Sequence, residues 1–204
     1  MRVAVLASGR GSNLAALARA IDEGRCAATL AGVLSDRASA PALELARARG
    51  LPAIVVPPSA HADRAAWDEA LARAIAQLEP GLVVLAGFMR LIGPATLAAF
   101  RDRIVNVHPS LLPAFPGMDA PRQALDAGVR ITGCTVHLVD AGVDTGRILA
   151  QAAVRVSPGD DAARLHARIQ AAEHALFPRV VDALARGRSM DEIARFEEGE
   201  APRP

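Results

Sequence analysis

Arg2-Val3-Ala4-Val5-Leu6-Ala7-Ser8-Gly9-Arg10-Gly11-Ser12-Asn13 is the stretch that decides the fold. Residues 2–7 read as a buried strand, 9–13 as a glycine-containing turn and 14–21 as the start of a helix. Reading outward, strands are predicted at 29–34, 53–56, 82–86 and 104–107. Between them lie helices at 42–49, stopped by Gly50, and at 62–78, with Asp63 as an early capping residue. This alternation of strand and helix predicts an α/β fold, an open and mostly parallel twisted sheet with helices on both faces. The second half departs from the rhythm. A short helix at 122–127 precedes two strands, 132–139 and 148–156, joined by the loop 140–147. Helix-start signals at 157–161 then lead into a long helix over 162–185, ended by Gly187. Residues 190–196 read as a last strand or a loose tail. The total is about seven strands in one domain, residues 1–196, with 197–204 as a disordered tail.

Composition narrows the function. The chain has 204 residues, of which 51% are hydrophobic but only 3% aromatic, so Ala, Leu, Val and Ile must build the core. The net charge is +1 with no polybasic run, which predicts no nucleic-acid partner and no membrane-surface partner. No apolar stretch approaches the roughly 20 residues that span a bilayer, and no leader precedes the first strand, so a cytoplasmic location is expected. Cys26 and Cys134 are far apart and read as two reduced thiols. All 23 basic residues are Arg, and Tyr is absent as well. Lysine Schiff bases, P-loop lysines and Tyr–Lys dehydrogenase pairs are thereby excluded. Catalysis is left to His, Asp, Glu, Asn, Ser, Cys and Arg.

The first turn suits an anion. Its glycines let the backbone approach a ligand, the helix start offers free N–H groups, and Ser12 and Asn13 add donors. A third glycine and a convincing acidic residue after the second strand are missing, because Asp36 is followed at once by Arg37. A monophosphate therefore fits better than a dinucleotide, with a tight turn that binds nothing as the competing reading.

A second stretch carries the chemistry. In Ile104-Val105-Asn106-Val107-His108-Pro109-Ser110-Leu111-Leu112-Pro113, Asn106 and His108 share one face at the end of a strand. An amide donor beside an imidazole suits charge developing on a carbonyl oxygen and proton movement near neutral pH. His137, inside an apolar strand, reads instead as a hydrogen-bonded core residue, with a supporting place behind the functional group as the alternative. The loop Asp140-Ala141-Gly142-Val143-Asp144-Thr145-Gly146 offers a carboxylate to orient His108 and favour its imidazolium. Finally, the strand over 82–86 runs into an apolar loop, Gly87-Phe88-Met89-Arg90-Leu91-Ile92-Gly93, able to line a pocket for a flat heteroaromatic ligand or simply to pack in the core.

Taken together, the segments 8–13, 85–92, 106–113, Pro116-Gly117, Thr132-Gly133 and the Asp144 loop resemble the phosphoribosylglycinamide formyltransferases, in order and over most of the chain. Gln170, Glu173 and His174 of the long helix match too. The resemblance implies the formyltransferase fold, with a Rossmann-like N-terminal half. It also implies transfer of a formyl group from 10-formyltetrahydrofolate to the amine of glycinamide ribonucleotide, without a metal. By the family pattern Asn106, His108 and Asp144 are catalytic. Gly11, Ser12 and Asn13 hold the phosphate, and Gln170 and Glu173 serve the ribonucleotide. Arg64 and the loop residues Met89, Arg90, Leu91 and Ile92 bind the folate, with Leu85, Leu97 and Val139 around the pterin. Asp140, Ala141 and Val143 belong to the loop that closes over it. One departure is visible: Ala114 and Phe115 follow the Leu-Leu-Pro where relatives often carry a basic residue.

Three alternatives remain open on the sequence. A formyltetrahydrofolate hydrolase delivers the same group to water and usually carries an N-terminal regulatory domain. A methionyl-tRNA formyltransferase needs a further nucleic-acid-binding domain. A non-catalytic nucleotide-binding α/β module accounts for the glycine turn but gives no reason for Asn106, His108 and Asp144 together. Monomer and homodimer are equally compatible with the sequence.

Overall fold

Alternation along the first strand explains the layering. Val3, Val5 and Ala7 point to one face and Ala4 and Leu6 to the other, and all five are fully buried. A strand buried on both faces needs helices on both sides. The computed structural model, described here for residues 1–194, supplies them. One seven-stranded sheet runs in the order β3-β2-β1-β4-β5-β6-β7. Its strands are β1 (Arg2–Leu6), β2 (Thr29–Ser35), β3 (Ala53–Val55), β4 (Leu82–Leu85), β5 (Ile104–His108), β6 (Ile131–Leu138) and β7 (Ile148–Arg155). β1 to β5 are parallel, whereas β6 pairs antiparallel with β5 and β7 antiparallel with β6. The helices are α1 (Ser12–Asp22), α2 (Pro41–Ala48), α3 (Arg64–Ala76), α4 (Pro94–Ala99), α5 (Ala120–Asp126), α6 (Ala162–Ala185) and α7 (Met190–Ala194).

Two apolar clusters cover the two faces. On one, Val3, Val5, Val84, Val105, Val107, Cys134 and Val136 pack with Leu14, Leu17, Leu43, Leu165, Ile169 and Phe177 of α1, α2 and α6. On the other, Ala4, Leu6, Val83, Leu85 and Ile104 pack with Trp67, Leu71 and Ile75 of α3. Trp67 also donates its indole N–H to the Val56 carbonyl at 2.9 Å, which satisfies the polar edge of an otherwise buried ring.

The sequence reading meets the structure closely in β1–β7 and α6, with two corrections. Residues 190–194 form helix α7, not a strand or loose tail. Ser189 and Glu192 cap it reciprocally: Ser189 N–H donates to Glu192 Oε2 at 2.6 Å, and Glu192 N–H to Ser189 Oγ at 3.2 Å. That is a capping box. The unexpected α4 begins at Pro94, and the carboxylate of Asp68 caps it by accepting from the N–H groups of Gly93, Ala95 and Thr96. The expected tail at 197–204 and the last two residues of the domain boundary at 196 lie outside the described residues.

Asp63 caps α3 as expected, its carboxylate accepting from Ala66 N–H at 2.8 Å. Asp63→Ala is expected to lower stability by about 1 kcal/mol, and thus the melting temperature by about 2–4 °C. Calorimetry of the two proteins checks it.

The sheet order places the functional edge. In β3-β2-β1-β4-β5 the direction of strand addition reverses between β1 and β4, and ligands of open α/β sheets bind beyond the carboxyl ends of strands at such a reversal. The glycine turn after β1, the apolar loop after β4 and His108 at the end of β5 all lie on that edge.

Candidate active site

The turn after β1 forms a bare helix start. Gly11 stands at the N-cap of α1 with φ 74°, and no side chain caps the helix. Any Cβ at Gly11 would sit 2.9 Å from the Cβ of Ala42, so both conformation and space require glycine. The first N–H groups of α1 thus have no side-chain cap, a ready site for an anion. α6 closes this site from above. Gln170 Nε2 donates to Ser12 Oγ at 2.9 Å, and Asn13 Nδ2 donates to Glu173 Oε2 at 2.9 Å. Glu173 is buried, and that burial pushes its pKa up from 4.5 to about 7 against the opposing hydrogen bond from Asn13. Asn13 Oδ1 is buried with no hydrogen-bond partner, an acceptor that an incoming donor would satisfy.

The second group is built across β5 and β6. Antiparallel register sets Asn106 opposite His137 and His108 opposite Thr135. Cys134 and Val136 turn into the core, so Thr135 and His137 share the face of Asn106 and His108. Asp144 reaches over them from the loop after β6. Its Oδ2 lies 3.3 Å from His108 Nδ1 and its Oδ1 lies 3.6 Å from His137 Nε2. Gly117 N–H donates to the same carboxylate at 2.8 Å. Burial pushes the Asp144 carboxyl up, but the neighbouring His137, the Gly117 N–H donor and His108 outweigh it and hold it below the ordinary value.

Hydrogen-bond chemistry fixes which nitrogen carries which proton. His108 Nε2 is 2.9 Å from the Phe115 carbonyl, which only accepts, so Nε2–H donates there. His108 Nδ1 faces the Asp144 carboxylate, so each ring nitrogen meets an acceptor and an imidazolium satisfies both. His137 Nδ1 is 2.7 Å from the Leu138 carbonyl and donates to it, which leaves Nε2 to accept from Asn106 Nδ2 at 3.1 Å. The Asn106 amide thus spends one N–H on His137 and keeps a second for another acceptor.

The loop after β4 is pinned at several points. Ser8 N–H donates to the Gly87 carbonyl at 3.0 Å, and Met89 N–H donates to Ser8 Oγ at 2.9 Å. Arg64 Nη2 donates to the Leu91 carbonyl at 3.0 Å. Arg90 Nε reaches Asp36 Oδ2 at 3.0 Å, and the Asp36 side chain is fully buried. Met89 and Leu91 are each 54% exposed. Leu85 and Ile92, by contrast, are buried in the second apolar cluster, and Leu97 and Val139 pack partly buried against it. The loop over Asp140, Ala141 and Val143 is exposed and shaped by Asp140 Oδ1, which accepts from Gly142 N–H at 3.0 Å and Thr145 Oγ1 at 2.7 Å.

The structure therefore brings Asn106, His108 and Asp144 together, and separately Gly11, Ser12, Asn13, Gln170 and Glu173. Arg64 gives an Nη2–H to the Leu91 carbonyl and Arg90 gives its Nε–H to Asp36, one of five donors on each guanidinium. His137 is buried and hydrogen-bonded, and it touches both Asn106 and Asp144, the alternative reading of a supporting residue. Its signal was available: it falls on the same alternating face of β6 as Thr135. Asp36, set aside because Arg37 follows it, proves to anchor the loop after β4.

Comparison with known proteins follows this geometry. A family model described as formyl transferase matches residues 1–181. The phosphoribosylglycinamide formyltransferase of Mycobacterium tuberculosis is 49% identical over 184 residues, covering 90% of this chain and 85% of that protein. The trifunctional purine biosynthetic protein adenosine-3 of Drosophila pseudoobscura pseudoobscura is 44% identical over 206 residues; the match takes in 99% of this chain but only 15% of that longer protein. Among solved structures, glycinamide ribonucleotide transformylase 1 of Symbiobacterium toebii superposes with a TM-score of 0.90 at 49% identity, covering 92% of this chain and 89% of that one.

Proposed function

The chain belongs to the formyl transferase family, and from that premise we propose that it transfers the formyl group of 10-formyltetrahydrofolate to the amine of glycinamide ribonucleotide, a step of purine biosynthesis. Residues 1–196 form the catalytic unit in this reading. The observation that carries it is the placement of His108 between the Asp144 carboxylate at 3.3 Å and the Phe115 carbonyl at 2.9 Å, with the Asn106 amide on the same strand face.

The division of labour follows from that geometry. The bare N-terminus of α1 at Gly11, Ser12 and Asn13 takes the phosphate. Glu173, tied to Asn13, and Gln170, tied to Ser12, accept and orient the ribonucleotide, whose donors would satisfy the orphaned Asn13 Oδ1. The folate lies against the loop after β4. Met89 and Leu91 are its exposed apolar surface, Arg64 and Arg90 bind the folate while bracing the loop, and Leu85, Ile92, Leu97 and Val139 form the wall behind. Asp140, Ala141 and Val143 close over the ring.

When the amine attacks the formyl carbon, a C–N bond forms and the carbonyl π electrons move to oxygen. The free N–H of Asn106 donates to that oxyanion, and His108, satisfied at both nitrogens as an imidazolium, places positive charge beside it. Asp144, kept ionised, accepts the amine proton through water and passes it to the folate nitrogen as the C–N bond to folate breaks. His137 holds the Asn106 amide in position.

Mixing the protein with 10-formyltetrahydrofolate, with and without glycinamide ribonucleotide, and following tetrahydrofolate release tests this reading. Turnover that requires the amine is the expected result. Equal turnover in water alone identifies a hydrolase and rejects the transferase, and no turnover at all leaves a binding module.

A further inference from the structure

Both acceptors that flank His108 come from residues with left-handed backbone, Phe115 with φ 57° and Asp144 with φ 54°. Neither is glycine. Such conformations persist only where the surroundings over-determine them. For Phe115 the surroundings are the loop over residues 109–117, held at its far end by Gln123 on the Pro116 carbonyl and Asp144 on Gly117 N–H, and at its near end by a row of side chains crossing three strands.

His108 of β5 stands opposite Thr135 of β6, and Thr135 stands opposite Gln151 of β7. Directly opposed residues share a face, so the three form one line across the sheet. Thr135 is fully buried and its hydroxyl is used to capacity. It donates to the Ser110 carbonyl at 2.7 Å and accepts from Leu112 N–H at 3.0 Å and from Gln151 Nε2 at 3.0 Å. The Gln151 amide also donates to the Leu112 carbonyl at 2.9 Å. From the held segment, Ser110 Oγ donates to the Ala114 carbonyl, one residue before Phe115.

We propose that Thr135 and Gln151 are positioning residues for His108: they fix the 109–117 loop so that the Phe115 carbonyl meets the imidazole Nε2–H. The inference rests on the reading of His108 as the charged group of formyl transfer. Without the Thr135 hydroxyl, Ser110 O and Leu112 N–H lose their shared partner and the loop loosens. Phe115 then relaxes towards negative φ and turns its carbonyl away. The imidazole keeps only the Asp144 side of its support, so its orientation is no longer set from both nitrogens. A purely structural role for the row would lower stability and leave the catalytic step of the folded protein untouched.

The test uses Thr135→Val, which removes the hydroxyl at nearly constant shape, with Thr135→Ser and Gln151→Met beside it. Two quantities are read in each folded protein: kcat and KM for both substrates, and the Nε2–H resonance of His108 in histidine-labelled protein, assigned by its disappearance in His108→Ala. Thr135→Val is expected to lower kcat about tenfold or more, with each KM within about twofold, and to shift or broaden the resonance. Thr135→Ser restores both, and Gln151→Met moves both in the same direction by less. Wild-type kcat in Thr135→Val, or an unmoved resonance, overturns the proposal. Should Thr135→Val not fold, Gln151→Met, at a half-buried position, decides in the same way. If the wild-type protein shows no amine-dependent turnover, the functional reading fails, while the resonance still decides whether the row positions the imidazole.

Discussion

His108→Ala is expected to lower kcat by about 10²–10³-fold while the affinity for glycinamide ribonucleotide stays unchanged. The magnitude is that of losing one electrostatic contact made only as charge develops on the oxyanion, about 2.7–4 kcal/mol. The direction follows from separation of roles. In the proposed reading α1 and α6 hold the phosphate and ribose through Ser12, Asn13, Gln170 and Glu173, none of which touches the imidazole through a hydrogen bond or ion pair. Substrate binding should therefore survive the deletion, whereas the transition state loses its positive charge. Asp144→Asn is expected to fall in the same direction, because it removes the carboxylate 3.3 Å from His108 Nδ1 and the proton acceptor at once. Its stability signature has a definite sign. The folded Asp144 carboxyl is held below its ordinary value of 3.8, so its contribution is present above that value and is lost as pH falls through the lowered folded one. Steady-state kinetics with calorimetric titration of the ribonucleotide checks the first claim. Loss of affinity equal to the loss in kcat would reject the assignment of His108 to the chemical step.

Much of this site was legible before the structure, and what was not shares one cause. Glycines beside a strand end, a strand bearing Asn106 and His108 two residues apart, and a glycine-flanked Asp144 are local signals, governed by period-2 alternation and turn chemistry. Pairing across distance is not local. That His137 faces Asn106 depends on β6 running antiparallel to β5, after five strands that had all been parallel. That Asp36 holds Arg90 depends on the ends of β2 and β4 coming together across β1, an outcome of sheet order. Two misses were local and avoidable. Gly93-Pro94 placed a proline at a helix start, and Ser189 with Glu192 spelled a capping box. Met190 and Ile193 pack with the first apolar cluster, and the three-residue spacing between them is that of a helix.

Glu173→Gln is expected to make the protein more stable and less useful. Burial raises the Glu173 carboxyl from 4.5 to about 7, with the Asn13 amide as the partial offset. A carboxyl with a folded value above its unfolded one binds more protons in the folded state between those two limits. Stability therefore falls as pH rises through that window, and the full penalty remains above it. The rise corresponds to about 3 kcal/mol. Glutamine carries no such charge, and its side-chain oxygen still accepts from Asn13 Nδ2. The variant should match the parent at the acid end of the window and exceed it by up to about 3 kcal/mol at pH 8. For a chain of this length that is roughly 6–12 °C in melting temperature. Such a cost persists in a working protein when the charge serves a ligand, so affinity for glycinamide ribonucleotide should fall by at least about tenfold in the same variant. Thermal melts at pH 5 and pH 8, with ribonucleotide binding measured at pH 8, separate the possible causes. A gain of equal size at both pH values would place its origin in packing rather than in the buried charge. A gain at pH 8 with undiminished affinity would remove Glu173 from the ribonucleotide site.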